Sequence, residues 1–232
     1  MTEPIDEAAG TAGAADSGPA EPAPEPVESV TDAAAAAGLG SLVEHRPLGL
    51  ADTAAYSSVT VYQGGAVAAH HTKPRLDAFR WEDVVRFRSA AVEGSKQFLA
   101  VTHVDLANGR TLDLYGHGRS GDLFPLLGPP IAAVQVPRMA AILAEGGSID
   151  VLAFTVDAAG LSRRAGLFGR RRLSLPWAEV GSIVADDGRL VVTAADGRVW
   201  FTGSLAKAAN VHALMGLADG HTQTRLGSHI RK

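Results

Sequence analysis

Apolar and polar residues alternate with a period of two through most of the chain beyond residue 55. In 86–90, Phe87 and Ser89 fall on one side while Arg86 and Arg88 fall on the other, the mark of a half-buried strand. Further on, 183–184, 190–193 and 199–201 are short β-prone runs separated by Asp186-Asp187-Gly188 and by Asp196-Gly197. Asp-Gly pairs supply the positive φ angles that tight hairpins need. The spacing therefore predicts an antiparallel meander over 151–202 and a counterpart over 56–115. Twice the period lengthens to three and four. Pro137 at a first helical position, then Met139, Ile142 and Leu143, with Gly146 beyond, predict a short amphipathic helix, and Pro129-Pro130 end whatever precedes it. Asn210 is placed to cap a second helix whose stripe is Val211, Leu214, Met215 and Ala218 and which Gly220 stops.

The same landmarks occur twice in one order. VTVYQGG at 59–65 precedes Trp81 in FRWEDVV, and TVDAAGL at 155–161 precedes Trp177 in LPWAEVG. Each tryptophan is followed by strands and by a tight turn, Asn108-Gly109-Arg110 in one case and Asp196-Gly197-Arg198 in the other. Three landmarks at near-constant spacing argue for duplication. The order strand, glycine, strand, Trp-x-[DE]-Val, meander, turn and closing helix resembles the pleckstrin-homology-like (PH-like) fold. With PRMAAILAEGG leading into VLAFTVDAAGL, the chain is similar to an uncharacterised bacterial family of paired PH-like domains. The resemblance covers 56–219; its signature residues are Trp81, Glu82, Trp177 and Glu179. It implies a mainly β fold, two tandem antiparallel domains each closed by a helix, and no particular activity.

Charge divides the chain unevenly. Residues 1–40 hold eight acids, no Lys or Arg, twelve Ala and five Pro, and none of the thirteen aromatics. That mix offers too little apolar surface to offset ordering entropy, so 1–44 reads as a disordered acidic leader. A transient helix at Ala33–Ala37 has no apolar stripe with which to dock. Domain one is then 45–146, domain two 147–220, and 221–232 a short basic tail. The acidic start is no secretory signal, and the best candidate span, Ile131–Leu143, contains Gln135, Pro137 and Arg138 and is too short to cross a bilayer. A cytoplasmic protein, peripheral to a membrane at most, is expected. Zero cysteines exclude disulfides and thiolate chemistry.

Candidate chemistry is sparse. Gly116–Gly121 fits G-x-G-x-x-G but lies in an antiparallel context with no βαβ unit. Eight histidines offer no i, i+4 pair with a nearby acid, so no metal is assigned. Glu82-Asp83 and Asp186-Asp187 are adjacent carboxylates with turn and strand-entry roles. No cofactor and no catalytic residue is expected. One segment stands out: RRAGLFGRRR at 163–172 carries five arginines and no acid. If 161–164 and 171–175 are hairpin arms, Leu167 and Phe168 sit at a tip flanked by Arg163, Arg164, Arg170, Arg171 and Arg172. Such a tip suits an anionic membrane surface or another acidic ligand. The competing reading folds Leu167 and Phe168 inward and pairs the arginines with acids such as Glu179. A non-catalytic binding module is the expectation, and a protein-interaction scaffold indifferent to lipid is the alternative. Nucleic acid is not expected, because aromatic residues do not interleave the cations.

Overall fold

The computed structural model describes residues 28–48, 55–93, 98–117, 122–152, 154–165, 171–186 and 188–229. Helix α1 (Glu28–Ala36) precedes strands β1 (Leu42–Pro47), β2 (Tyr56–Tyr62), β3 (Gly65–His70) and β4 (Leu76–Arg80), which form one antiparallel sheet in the order β1-β2-β3-β4. A 3-10 turn at Trp81–Asp83 leads into β5 (Val84–Glu93), β6 (Phe98–Leu106) and β7 (Thr111–His117), a second antiparallel sheet, and then helix α2 (Phe124–Ala144). The order then recurs. Strands β8 (Ser148–Val151), β9 (Phe154–Asp157), β10 (Gly160–Ala165) and β11 (Arg171–Pro176) form a four-stranded sheet. A 3-10 turn at Trp177–Glu179 opens β12 (Val180–Asp186), β13 (Arg189–Ala194) and β14 (Val199–Ser204), and helix α3 (Val211–His229) follows. The fold is mainly β, as the period-two pattern predicts.

The two tryptophans do the same job. The Trp81 indole N–H donates to the Gln63 carbonyl and the Trp177 indole N–H to the Asp157 carbonyl, each at 3.0 Å. Both rings are buried, and each pins the corner between its block's two sheets to the preceding hairpin turn. The acid two residues later also recurs: the Asp83 carbonyl accepts from the Ala107 N–H and the Glu179 carbonyl from the Ala195 N–H, each at 2.8 Å. Asp83, not Glu82, is thus the counterpart of Glu179. Glu82 is exposed, pairs with Arg80 at 2.6 Å, and accepts from Arg138 through its main-chain carbonyl at 2.7 Å.

Three boundaries differ from the sequence reading. The leader does not extend to residue 44. Helix α1 docks through Val30 and Ala34, and Leu39 just beyond its end joins them, onto Tyr62 and Val67, so both faces of β2 and β3 are covered. A stripe of one Val, one Ala and one Leu suffices because the aromatic ring comes from the sheet. Gly38, at φ +65°, ends the helix in the left-handed conformation that glycine tolerates best. Residues 1–27 lie outside the described residues.

Second, α2 is one helix of 21 residues and not a short one beginning at Pro137. Pro129, Pro130 and Pro137 lie inside it, each forfeiting a main-chain hydrogen bond at a cost of about 3 kcal/mol. The offset is a stripe at four-residue spacing: Leu127 and Ile131 enter the core of the first block, Met139 and Leu143 that of the second. Between them the buried Gln135 donates to the Val84 carbonyl at 3.3 Å. Length and composition alone would let α2 cross a membrane, contrary to expectation, but its apolar stripe is spent on two cores at once. Third, Gly220 does not stop α3, which continues to His229. One interior glycine costs only about 1 kcal/mol against alanine, and the next residue, His221, stacks on the Trp177 ring at 4.4 Å.

Helices α2 and α3 cross at a glycine. The His212 ring lies 4.0 Å from the Phe124 ring, donates to the Phe124 carbonyl at 3.1 Å, and fills the space where Gly128 lacks a side chain. Burial lowers the His212 pKa, against the Phe124 carbonyl and the Asp122 charge, which pull the other way. A β-carbon at Gly128 would stand 1.8 Å from the ring. Gly128→Ala is therefore expected to cost about 2 kcal/mol by overpacking, read as a lower urea midpoint at unchanged slope. An unchanged midpoint would mean that the ring has room to move aside.

Candidate functional site

The arginine segment forms the hairpin expected of it. Leu161 pairs with Leu175, Arg163 with Leu173, Arg164 with Arg172 and Ala165 with Arg171. Alternation along the strands then sorts the cations. Arg163 shares the core side with Leu161 and Leu173, while Arg164 and Arg172 lie together on the outer side with Ser162. Leu167, Phe168 and Arg170 lie outside the described residues.

Each described arginine has its own surroundings. The Arg163 guanidinium sits 5.1 Å from the centroid of the Trp200 ring and 6.0 Å from that of Phe201, within cation–π range. Its Nε is buried without a hydrogen-bond partner among the described residues. Arg172 donates to Ser162 Oγ at 2.9 Å and lies 3.7 Å from Asp157, beside a groove of about 190 Å³ whose lining includes Gly160 and Ser174. That contact is the only ion pair of the hairpin among the described residues. Glu179, which the competing reading offered as a partner, takes no arginine among the described residues, and the turn that carries it bonds the Ala195 corner. Arg164 and Arg171 are exposed.

Sequence reasoning missed two neighbours of this end of the sheet. Extending the β9–β10 register beyond Ser162–Thr155 places Phe154 beside Arg163 and the β8–β9 turn at the end of the hairpin where Ala165 faces Arg171. Leu152 occupies that turn at φ +55°, where a branched residue is strained, and it remains 37 % exposed. Trp200 is half-buried against Phe154 with rings 5.9 Å apart. Neither residue sits in a pattern that marks it: Leu152 comes beside the hairpin through the register of its sheet, and Trp200 meets Arg163 from a strand of the other sheet.

Other candidates resolve into structure. The preceding strand of the glycine motif, β7, is antiparallel to β6, and residues 118–121 lie outside the described residues. Among the described residues no three His, Asp or Glu converge as metal ligands. His45 bonds Thr60 at 2.8 Å, and His103 bonds Asp113.

A second polar cluster escaped the sequence reading altogether. Asp77 on β4 is 4 % exposed and accepts hydrogen bonds from Tyr56 at 2.8 Å, His70 at 3.0 Å, Arg75 at 3.2 Å and Arg110. Arg110 comes from the β6–β7 turn, so the carboxylate ties the two sheets of the first block together. Burial alone would raise its pKa; the bonds from Tyr56 and His70, the charge of Arg110 and the bond from Arg75 more than offset that and hold it low. Burial and the adjacent carboxylate push the Tyr56 phenol well above its ordinary range. The carboxylate, with four donors on it, serves as a structural tie between the sheets.

Comparisons with protein-family models, with curated proteins and with solved structures return no match.

Proposed function

We propose that the chain is a non-catalytic binding module built from two PH-like blocks, and that the β10–β11 hairpin docks reversibly on an anionic membrane surface. The observation that carries this reading is the register that gathers Arg163, Arg164, Arg171 and Arg172 at one end of a sheet with, among the described residues, a single acid paired to them, at 3.7 Å. Exposed Leu152 and half-buried Trp200 add apolar surface at the same end. Cations around aromatic and aliphatic side chains suit the headgroup region, where each basic residue is worth about 1 kcal/mol. The twofold order of four strands, three strands and a helix supports the PH-like reading.

The test is flotation with phosphatidylcholine vesicles and with vesicles containing phosphatidylserine, at low and moderate salt. Wild-type protein is expected to float only with the anionic vesicles and to detach as salt screens the contact. Arg164→Glu/Arg171→Glu/Arg172→Glu, changed at surface positions, is expected to bind at least tenfold more weakly, because three attractions of about 1 kcal/mol each become repulsions. Absence of wild-type binding to anionic vesicles at low salt would overturn the reading and leave a protein-interaction scaffold.

A further inference from the structure

In the first block the outer edge of β5 is closed by a piece of the second. Asn210, in the left-handed region at φ +55°, donates its main-chain N–H to the Phe87 carbonyl at 2.8 Å. Its Oδ1 accepts from the Phe87 N–H at 2.8 Å and its Nδ2 donates to the Val85 carbonyl at 3.2 Å. Asn210 thus heads helix α3 as expected, but its side chain reads a strand edge and caps no helix. Phe87 must turn both its N–H and its carbonyl away from β6 to make these bonds.

Strand β12 is the counterpart of β5. Both follow a Trp-x-acid-Val corner, and both shift register immediately afterwards, between Val84 and Arg86 in one and between Val180 and Ser182 in the other. Ile183 therefore stands where Phe87 stands, opposite Val192 as Phe87 is opposite Val104. The turn fixes the phase independently. Asp186 pairs with Arg189 across two residues, and the pair flanking such a turn exchanges its hydrogen bonds. Ser182 and Val184 then bond β13, and Ile183 turns its N–H and carbonyl outward. Among the described residues nothing bonds them. Ile183 packs its side chain into the core with α3, and its own strand does little to protect the edge: Gly181 and Ser182 are small and exposed, Val184 is 42 % exposed, and 180–185 carry no charge. Natural sheets protect open edges with charge, proline or cover, whereas β5 carries Arg86 and Arg88 and is covered besides.

We propose that the β12 edge, beside α3, is a docking site for a short asparagine-bearing loop of a partner protein, held as Asn210 holds β5. The occupant's chemistry follows from residues 205–210, a 3-10 turn ending in a left-handed asparagine, which show what the equivalent edge accepts: one main-chain hydrogen bond and two from a carboxamide. An uncharged edge gives binding that is insensitive to salt, which separates this site from the arginine hairpin.

The probe is a fluorescent peptide of residues 203–212, titrated into the full chain by anisotropy at low and moderate salt and followed by amide hydrogen exchange. Saturable, salt-insensitive binding is expected, weakened at least about tenfold when the peptide's asparagine is alanine, which removes two hydrogen bonds. The Ile183 amide should exchange rapidly in the free chain and slow when the peptide is added, while Phe87 stays protected throughout. The proposal is overturned if Ile183 is already as protected as Phe87 without peptide, if the alanine peptide binds equally well, or if the peptide frees Phe87 instead of covering Ile183.

Discussion

Trp81→Ala and Trp177→Ala should each lower the free energy of unfolding by about 3 to 5 kcal/mol, the cost of emptying a buried aromatic site. Both rings are at most 9 % exposed, and each indole N–H satisfies the carbonyl of a hairpin turn. Truncation leaves a cavity at the corner between two sheets and an unanswered carbonyl beside it. A phenylalanine in either place keeps most of the volume, loses the hydrogen bond, and should cost less than half as much. Urea titration followed by circular dichroism and by the remaining tryptophan fluorescence gives both numbers. The two probes should agree in every variant. Helix α2 contributes to both cores and Asn210 bonds β5, so neither core can lose its structure without exposing part of the other. Two separate transitions would show that the blocks unfold independently.

These tryptophans were legible in the sequence because their role is local. Each reaches back to a turn no more than 20 residues away, and the same spacing occurs twice. The arginine hairpin was legible for the same reason, since strand alternation and a short loop fix which arginine faces which. The elements missed are those whose support comes from far along the chain. Prolines predict a break in α2 when only local hydrogen bonds are counted; the cores on either side, supplied by both blocks, override them. Alanine and glycine gave α1 no visible partner until Tyr62 and Val67 stood across from it. Asn210 reads as a helix cap because the sequence shows the helix after it and not the strand 123 residues before it.

Asp77 is the extreme case of that distance, and Asp77→Ala should cost about 3 kcal/mol. Its partners lie on β2, β3, beside β4 and in the β6–β7 turn, so no single stretch of sequence shows the cluster. Arg75 and Arg110 are 54 % and 40 % exposed and can return to water when the carboxylate is removed. The Tyr56 hydroxyl and the His70 imidazole are buried more deeply and lose their acceptor, which sets the cost above that of a surface ion pair. The pH dependence follows from the two shifts. A carboxylate whose pKa is lowered by folding contributes stability that is complete above its ordinary pKa, near 3.8, and is lost as pH falls through the folded value. A phenol whose pKa is raised contributes stability that is lost as pH climbs past about 10, where the unfolded chain ionises and the folded one does not. Wild-type stability, read from urea midpoints between pH 3 and 11, should therefore fall at both ends. Asp77→Asn should flatten the acid limb and retain much of the alkaline one, because burial, the larger influence on Tyr56, is unchanged. If Asp77→Ala stays within about 1 kcal/mol of wild type, and both limbs persist in Asp77→Asn, then Arg110 holds the two sheets together without this carboxylate.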